Sequence, residues 1–467
     1  MSTFADHDSS SPVTGELPPG PRMRWWGLPF LREMRADYLG FVERLQRDHG
    51  DVTLLRLGQE QGIDVFDPGL ARQVLIDHAD HLVRWERGIE VFEQLFGQSV
   101  LVTEGATWQR QRRMLQPAFA PARVAGYAEL MREAALEALE SAVPPGAGGA
   151  EVDMGDLFSH LAMDVIMRTL FSSRAPGDAR DAAHAVQVVS ECALNEMFWP
   201  MTLPDWLPLP GKAAKRRALR TLRDVVGRHI SARMASPTAQ PGGDLLGMLL
   251  SLRDEGSGEP LSRQEVFDQC MVMFQAGHET SATALLWWSW LMAEHPAEAE
   301  KVRQEVDAVL GDRAPVPQDM AALPRLTASL KEAMRLYPPI AALLTRRATR
   351  DLRMGRWMIP RGTLVRVTPW VLQRDPRVFE QPQAFRPERF MPDAPPPPRG
   401  AWMPFGVGPR VCIGQYFAML EMTMIAALLL QRYTLEPPAD ARPVRPVMHV
   451  TVRPEGGIRL RMRRRRP

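Results

Sequence analysis

The chain has 467 residues, of which 45% are hydrophobic and 24% are charged, and this composition is typical of a globular protein with a substantial core. Its formal net charge is only +2 at pH 7, which argues against a dedicated nucleic-acid-binding protein. The three cysteines, Cys192, Cys270 and Cys412, are far apart and form neither a CxxC pair nor a disulfide framework. The sequence therefore predicts neither a domain stabilised by disulfide bonds nor a structural zinc site with four ligands.

The N-terminal segment is polar, and residues 1–16 are predicted to be a disordered leader. It contains no apolar stretch of signal-peptide or membrane-span length, so we expect a cytoplasmic protein without a transmembrane segment, in which peripheral membrane contact stays open. Leu17–Pro21 is rich in proline and predicts a stiff extended segment. Trp25, Trp26 and Phe30 then indicate the point at which the chain docks onto the body of the protein.

A short strand-bearing region follows. An amphipathic helix is predicted from about Asp37 to His49, and strands are predicted over Asp51–Gly58 and Gly62–Phe66. Most of the remaining chain has helical periodicity, apart from strand-like pieces near the C-terminus at His449–Val452 and Ile458–Met462. The predicted fold class is mainly α with a small β lobe.

The pair Trp108 and Arg112 is the first candidate for a binding function. The two residues are four apart, so on a helix they share a face. A guanidinium at such a position suits a carboxylate through two-pronged hydrogen bonding. The neighbouring Arg110 and Arg113 are predicted to be solvated or to face a partner protein.

The longest predicted helix begins at the capping box Ser262–Glu265 and ends at His295, before a proline. Its middle contains Ala276–Ser281, in which glycine and threonine are unfavourable for a helix interior. A local rule broken inside a strong helix often marks a functional site. The alternative is a kink in which Thr280 hydrogen-bonds back to a carbonyl.

Two charged motifs follow this helix. Glu332 and Arg335 are three apart on a helix that ends before proline, so they share a face. Further along, Arg389 lies in a Pro-Glu-Arg-Phe block. A lone pair at this spacing would more often be a surface ion pair.

The stretch Phe405–Gly414 places Cys412 in a glycine-bounded loop directly before an apolar helix, Gln415–Leu430. The free N–H groups and the dipole of a helix N-terminus favour a thiolate, so we expect a lowered thiol pKa. Gly408 and Gly414 let backbone approach the sulfur closely, and such a thiolate is a soft anionic metal ligand. The alternative is a structural cysteine in a turn.

This loop resembles the haem-binding signature of the cytochrome P450 family. The matching residues are Phe405, Gly408, Arg410, Cys412 and Gly414. The three upstream motifs match the family's elements in the family's order, and the resemblance extends from Pro18 to about Met462. It implies a single cytochrome P450 catalytic domain at residues 17–467, with a long central helix over the haem.

The resemblance implies a haem b (iron protoporphyrin IX) whose axial ligand is the Cys412 thiolate. Thr280 and Glu279 would deliver protons to bound O2, and Arg389 would join Glu332 and Arg335 in a buried triad. Arg347 is the alternative to Arg346 as a propionate-binding residue. The residues that the resemblance places at the haem are Trp108, Arg112, Gly277, Arg346, Phe405, Arg410, Cys412 and Gly414.

The implied activity is that of a monomeric haem-thiolate monooxygenase, which inserts one oxygen atom of O2 into a small apolar substrate such as a fatty acid, terpenoid, steroid or other natural product. The electrons would come from NAD(P)H through a separate ferredoxin or flavodoxin and its reductase, since the chain has no residues left over for a flavin or iron–sulfur domain. The alternatives are a haem-thiolate peroxygenase or isomerase and a haem-based binding or sensor protein. Predicted substrate-pocket residues are Phe92, Phe96, Leu101, Phe274, Ala276, Ile340, Leu343 and Leu344.

Two further features of the sequence give predictions of their own. Gln373 stands where the family more often has histidine, which puts one peripheral hydrogen bond on the haem side in doubt. The final arginines, Arg463–Arg466, are predicted to form a solvated, frayed end.

Overall fold

A computed structural model of the chain describes residues 15–198, 203–207, 209–235, 243–342, 344–440 and 443–465. Helices dominate these residues, and short 3-10 and π turns connect several of them. The α-helices are α1 (Leu28–Ala36), α2 (Tyr38–His49), α3 (Pro68–Arg72), α4 (Glu86–Phe96), α5 (Gly105–Leu115), α6 (Pro121–Ala125), α7 (Ala128–Ala142), α8 (Met154–Phe171), α9 (Pro176–Met197), α10 (Lys212–Ala235), α11 (Leu245–Ser251), α12 (Arg263–Glu294), α13 (Pro296–Leu310), α14 (Pro324–Leu336), α15 (Pro369–Leu372) and α16 (Gln415–Arg432).

The strands are short and belong to four small sheets. They are β1 (Val52–Leu57), β2 (Glu60–Val65), β3 (Leu82–Arg84), β4 (Gly149–Asp153), β5 (Leu344–Ala348), β6 (Leu352–Met354), β7 (Trp357–Ile359), β8 (Leu364–Val367), β9 (Tyr433–Glu436), β10 (Pro446–Met448), β11 (Val452–Pro454) and β12 (Arg459–Arg464). This content of long helices and small sheets confirms the predicted fold class.

The chain divides into two compact units. The first, unit 1, comprises the described residues of Met1–Trp85, Ala342–Asp375 and Pro398–Val411. It contains the β6–β7 hairpin and a five-stranded sheet in the order β1-β2-β8-β5-β3. The pairs β1–β2, β5–β8 and β3–β5 are antiparallel, and β2–β8 is parallel.

A buried ion pair joins two strands of this sheet. Arg366 on β8 donates to both carboxylate oxygens of Asp64 on β2, at 2.7 and 2.6 Å. The parallel register places the two residues opposite each other. Their charge also acts on Tyr38, where burial raises the pKa of the phenol to about 12. The predicted strand-bearing lobe corresponds to unit 1.

The second, unit 2, comprises Glu86–Ala341, Pro376–Pro397 and Cys412–Pro467 as far as these are described. Its longest helix, α12, begins where predicted. Ser262 Oγ accepts from Glu265 N at 3.2 Å, and Glu265 Oε2 accepts from Ser262 N at 2.8 Å. α12 packs against α8, α10, α14 and α16, so most of its side chains are buried. Stability of so long a helix comes from this packing.

The C-terminal strands correct two expectations about unit 2. β12, which overlaps the predicted strand piece Ile458–Met462, pairs with both β4 and β9, for which no strand was predicted. The predicted frayed end is wrong for its described part: Arg464 donates to the carbonyl of Val143, and Arg465 pairs with Asp307 at 2.6 Å. Arg466 lies outside the described residues. Pairing with distant carboxylate and carbonyl groups orders these arginines, and no local pattern signals it.

The N-terminal expectations also need correction. Gly15 and Glu16 were predicted to belong to the leader, but Glu16 O accepts from Met358 N at 2.9 Å. Trp25 and Trp26 do not dock onto the body, because their side chains are 78% and 70% exposed. Only Phe30 packs inward, with its ring 6.3 Å from that of Phe41.

Candidate active site

Cys412 lies two residues before the glycine that caps α16. Gly414 is the N-cap residue, and its N–H donates to the thiol sulfur. The side chain of Cys412 is exposed to solvent, whereas Cys270 is buried inside α12 and Cys192 is half-buried on α9. Among these cysteines, Cys412 is therefore the one whose sulfur is accessible at a helix N-terminus.

The pKa of this thiol departs from the sequence expectation. Solvent can reach this sulfur, but the protein atoms that surround it limit its hydration and raise the pKa of Cys412 above its ordinary value, although the N–H of Gly414 and the charge of Arg112 both act to lower it. The predicted net lowering is thus wrong for the protein alone, because desolvation outweighs one N–H and one cation. A bound metal cation would reverse the balance, since coordination deprotonates a thiol outright.

Arg112 is brought close to this cysteine by α5. Burial lowers the pKa of Arg112, and the negative charge of a Cys412 thiolate opposes that effect. The electrostatic influence is mutual, so the two groups lie near each other although they are 300 positions apart in sequence. Trp108, one turn earlier on α5, is half-buried. The structure therefore brings Arg112 of the Trp/Arg motif close to Cys412.

Near its centre, α12 is exposed to solvent at one point. Ala276 is exposed and Thr280 is partly exposed, whereas most neighbours on the helix are buried. Residues four apart lie on one helix face, so Ala276 and Thr280 border the same opening. The Thr280 hydroxyl donates to the carbonyl of Ala276 at 2.9 Å. This is the hydrogen bond to a backbone carbonyl that was considered as the alternative to a functional role for Thr280. It leaves the hydroxyl oxygen free to accept a hydrogen bond from the side of the opening.

Glu279 points away into a buried polar network. Its Oε2 accepts from Ser190 Oγ on α9 at 2.6 Å. Its Oε1 accepts from Thr451 Oγ1 at 2.8 Å and from Arg453 Nη2 on β11 at 2.9 Å. Glu279 is 6% exposed, and this burial makes its ion pair with Arg453 a fixed element of the site. Ser190, Thr451 and Arg453 were not predicted, because each comes from a distant part of the chain without a motif.

The predicted triad is assembled at α14. Glu332 and Arg335 are both 0% exposed and share two hydrogen bonds of 2.7 and 2.9 Å. Arg389 Nε reaches Glu332 Oε1 at 3.3 Å. Arg335 also donates to the carbonyls of Pro382 and Ala384, at 2.7 and 3.1 Å. The triad thus ties α14 to the segment that precedes the cysteine loop in sequence.

In unit 1, Gly408 has a positive φ of 79°, and a Cβ there would stand 2.2 Å from the carbonyl oxygen of Leu75. Only glycine fits this turn of the loop, as the motif predicts. Phe405 and Arg410 are half-buried on the same loop. Gln373, fully buried, accepts from the N–H of Met403 at 2.9 Å and so supports this loop in place of the more common histidine.

The two arginines considered for a propionate lie next to each other on β5. Arg347 pairs with Glu60 at 3.1 Å and donates to the carbonyl of Gly362 at 2.7 Å. Successive side chains of a strand point to opposite faces, so Arg346 lies on the other face, where it is 9% exposed. These partners of Arg347 favour Arg346 for the role, which stays a prediction.

Two residues that were predicted to contact haem or substrate, Gly277 and Phe274, make packing contacts within the protein. A Cβ on Gly277 would stand 2.8 Å from Ile166 Cδ1, the flexible end of a side chain on α8, so the packing of α12 against α8 favours glycine there. Phe274 is 0% exposed and packs against Phe171 with ring centroids 6.0 Å apart. The contact of Gly277 with haem and that of Phe274 with substrate stay predictions.

The other predicted substrate residues are placed as follows. Phe92 and Phe96 stack on α4 with centroids 5.6 Å apart. Leu101 and Ile340 are half-buried. Leu343 lies outside the described residues, as does the side chain of Leu344.

Arg110 and Arg113 are not simply solvated. Arg110 pairs with Glu265 at 2.5 Å, and Arg113 pairs with Asp254 at 3.1 Å. Two acidic groups of unit 2 therefore compensate these charges, which weakens the expectation that both arginines face a redox partner. Carboxylates 141 and 155 residues away could not be assigned to them from the local sequence.

The residues present fit a haem with a thiolate ligand. The chain offers one accessible sulfur at a helix N-terminus, a cation beside it, and an opening in an otherwise buried helix bordered by a hydroxyl. A thiolate is a known haem ligand, and arginine suits propionate groups. In the part of the chain that the structure describes, no helix is both long and apolar enough to cross a membrane.

Comparison with known proteins agrees with this site. A family model described as Cytochrome P450 matches residues 18–462. Cyclooctatin synthase of Streptomyces melanosporofaciens is 36% identical over 87% of this chain and 88% of its own length. Cyclooctat-9-en-7-ol 5-monooxygenase of the same species is 33% identical over 91% and 93%, and pentalenene oxygenase of Streptomyces avermitilis is 31% identical over 93% and 95%. The chain therefore belongs to the cytochrome P450 family of haem-thiolate monooxygenases, which confirms the prediction made from its cysteine loop and upstream motifs.

Proposed function

We propose that this enzyme inserts one oxygen atom of O2 into a cyclic terpenoid. Two relatives with nearly full-length similarity are named for pentalenene and for cyclooctat-9-en-7-ol. An apolar substrate also suits the stacked pair Phe92 and Phe96, one of which remains half-exposed. Of the substrate classes that the sequence leaves open, a terpenoid is thus the best supported.

Bound haem would supply the activation of O2, with electron donation from its thiolate ligand. In this chain Cys412 would hold the iron, and the N–H of Gly414 would hold the sulfur in place. Arg112 would pair with a propionate, because its guanidinium lies near that sulfur and is partly desolvated. Arg346 and Arg410 are the candidates for the same task in unit 1.

Thr280 and Glu279 would have different parts in proton delivery. Because the Thr280 hydroxyl donates to Ala276, its oxygen can accept a hydrogen bond from a water and hold that water in the opening. Glu279 is compensated by Arg453 and fixed by two hydroxyl groups. We infer that Glu279 passes protons inward through Ser190, because the Ser190 hydroxyl donates to Glu279 Oε2 at 2.6 Å and a hydroxyl can both donate and accept a hydrogen bond.

The remaining roles follow from the family and are part of the proposal. NAD(P)H would supply electrons through a separate ferredoxin or flavodoxin and its reductase. We further propose a monomer whose residues 17–467 act as one catalytic domain in the cytoplasm.

The proposed substrate class is tested by turnover. The purified haem-loaded enzyme is supplied with NAD(P)H, a surrogate ferredoxin and its reductase, and with pentalenene, cyclooctat-9-en-7-ol, a fatty acid or a steroid in parallel. We expect substrate-induced spectral shifts and oxygenated product with the terpenoids at concentrations that leave the fatty acid and the steroid unchanged. Product from the fatty acid alone would refute the terpenoid assignment.

A parallel reaction with peroxide in place of the electron donors separates the alternatives. Product with NAD(P)H and redox proteins supports the monooxygenase. Product with peroxide alone would indicate a peroxygenase, and a rearranged product without either would indicate an isomerase. Ligand-induced spectral shifts without any product would indicate a binding or sensor protein.

A further inference from the structure

Unit 1 presents an apolar surface that is left exposed by the residues that the structure describes. Four large side chains within six residues are strongly exposed: Met23 at 45%, Trp25 at 78%, Trp26 at 70% and Leu28 at 64%. We call these four residues the tryptophan patch. Single exposed apolar residues are ordinary, whereas two adjacent tryptophans with apolar neighbours on both sides mark an interaction site.

The backbone beneath the patch is held firmly. Gly58 N donates to the carbonyl of Trp26 at 2.8 Å, and Gly27 N donates to the carbonyl of Arg24 at 2.9 Å. A Cβ on Gly27 would stand 2.8 Å from the carbonyl of Arg56, so the turn is pressed against β1. The exposure of the tryptophans therefore belongs to an ordered turn of unit 1.

Both tryptophans adopt an uncommon backbone conformation. The φ of Trp25 is 50° and that of Trp26 is 57°, in the left-handed region that bulky residues avoid. Such strain persists only where the surrounding structure imposes it, and it is often associated with function. Here the strained turn holds two indole rings in the solvent rather than in the core.

The charged residues within the chain segment that forms the patch have one sign. Arg22, Arg24 and Arg32 are exposed, and there is no acidic residue between Arg22 and Arg32. The next acidic residue along the chain, Glu33, is already paired with Arg44. Apolar aromatic rings surrounded by cations are the chemistry of a surface that meets anionic lipid headgroups.

We propose that the tryptophan patch docks this enzyme onto the surface of an anionic phospholipid bilayer. Indole rings prefer the headgroup level, where the ring is in an apolar environment and its N–H stays hydrated. The arginines would pair with lipid phosphates at the same depth. Docking of this kind needs no spanning helix, and it would place an enzyme for apolar substrates beside the phase in which they dissolve.

The test is vesicle flotation of the full-length haem-loaded enzyme without substrate or redox partner, so its outcome is independent of the proposed substrate class. Vesicles are made from equimolar phosphatidylcholine and phosphatidylglycerol or from phosphatidylcholine alone. We expect binding to the anionic vesicles, and we expect the double variant Trp25→Ser/Trp26→Ser to bind at least about tenfold more weakly. Arg22→Gln/Arg24→Gln should lose roughly fivefold per arginine on the anionic vesicles only.

Two controls separate docking from damage to the fold. Trp25→Phe/Trp26→Phe keeps the aromatic surface and should retain most of the binding. Val316→Ser removes an apolar side chain of 44% exposure in unit 2 and should leave binding unchanged. Vesicles with brominated acyl chains should quench tryptophan fluorescence of the native enzyme more than that of the double serine variant.

Three results would overturn the proposal. The native enzyme could fail to float with anionic vesicles, or the double serine variant could float as well as the native enzyme. The third is dimerisation of the native enzyme in sedimentation velocity, lost in the double serine variant, without vesicle binding by either. That pattern would identify a second copy of the chain as the occupant of the patch.

Discussion

The ion pair of Glu332 and Arg335 allows a quantitative prediction. Both side chains are 0% exposed, and Glu332 accepts from Arg335, Arg389 and the N–H of Arg386. In Glu332→Gln the charge is lost, and an amide N–H₂ replaces one acceptor oxygen. That amide must face donors, because every described partner of the carboxylate donates to it.

The expected cost follows from the burial of Arg335. Removing one partner of a buried pair leaves an uncompensated charge and costs about 3–5 kcal/mol. The remaining amide oxygen and the carbonyls of Pro382 and Ala384 still accept from Arg335, so the lower end, about 3 kcal/mol, is expected. For a cooperative chain of this length the unfolding entropy is about 1 kcal/mol/K, so the Tm should fall by about 3 °C.

Differential scanning calorimetry of the haem-loaded variant measures this shift, and the red-shifted band of its reduced carbon-monoxide complex reports the cysteine ligation. The matched control is Glu129→Gln. Glu129 and Arg132 have the same spacing of three on α7, but they are 59% and 32% exposed. Exposed pairs contribute about 0–1 kcal/mol, so the control should change the Tm by about 1 °C or less.

Equal Tm changes in the two variants would refute the reasoning, because burial would then not determine the cost. A normal Tm with a lost carbon-monoxide band would instead assign the triad to the ligand loop alone and contradict its role in stability. Both measurements are needed, since loss of haem would itself lower the Tm.

Three further predictions concern the site and its helix. Cys412→Ala should abolish the red-shifted band of the reduced carbon-monoxide complex, whereas Cys192→Ala should keep it; persistence in Cys412→Ala would exclude this ligand. Thr280→Ala should raise peroxide release per NAD(P)H consumed several-fold, and Thr280→Ser should restore coupling, because it keeps the hydroxyl that bonds Ala276; unchanged peroxide release would exclude Thr280 from proton delivery. Burial raises the pKa of Glu421 from 4.5 to about 8, and a hydrogen bond with Ser281 opposes this rise only in part. The folded state therefore keeps a proton that the unfolded state loses, so stability should fall as pH rises from about 5 to 8, by up to roughly 1.4 kcal/mol per pH unit. Glu421→Gln should reduce the fall in stability between about pH 6 and pH 8, measured by thermal melts at both values. An equal fall in the native enzyme and in the variant would contradict a buried, protonated Glu421.

Local sequence was sufficient wherever a short-range rule decides the structure. The capping box at Ser262 placed the start of α12, and Gly408 was predicted to allow a close approach of backbone, which the structure shows at the carbonyl of Leu75. The spacing of Glu332 and Arg335 put both on one face of α14. Each of these depends on residues within a few positions of one another, so the pattern alone is informative.

Other features depended on groups that are far apart in the chain. The partners of Glu279 lie 89 to 174 residues away, and they carry no signal of their own. The thiol of Cys412 was expected to have a lowered pKa, but the surrounding protein desolvates it and reverses the direction. Burial of this kind is a property of the packed chain and cannot be read from a loop and the helix behind it.

The aromatic residues near the N-terminus show the same limit most clearly. Composition predicts burial for Trp25 and Trp26, because large apolar side chains usually lie inside. The tertiary structure decides otherwise, since a turn fastened to β1 holds both residues at positive φ with their rings in solvent. The motifs in the sequence thus identify the chemistry of the enzyme, whereas long-range packing determines which charges are compensated, which thiol is desolvated and which apolar surface is left exposed.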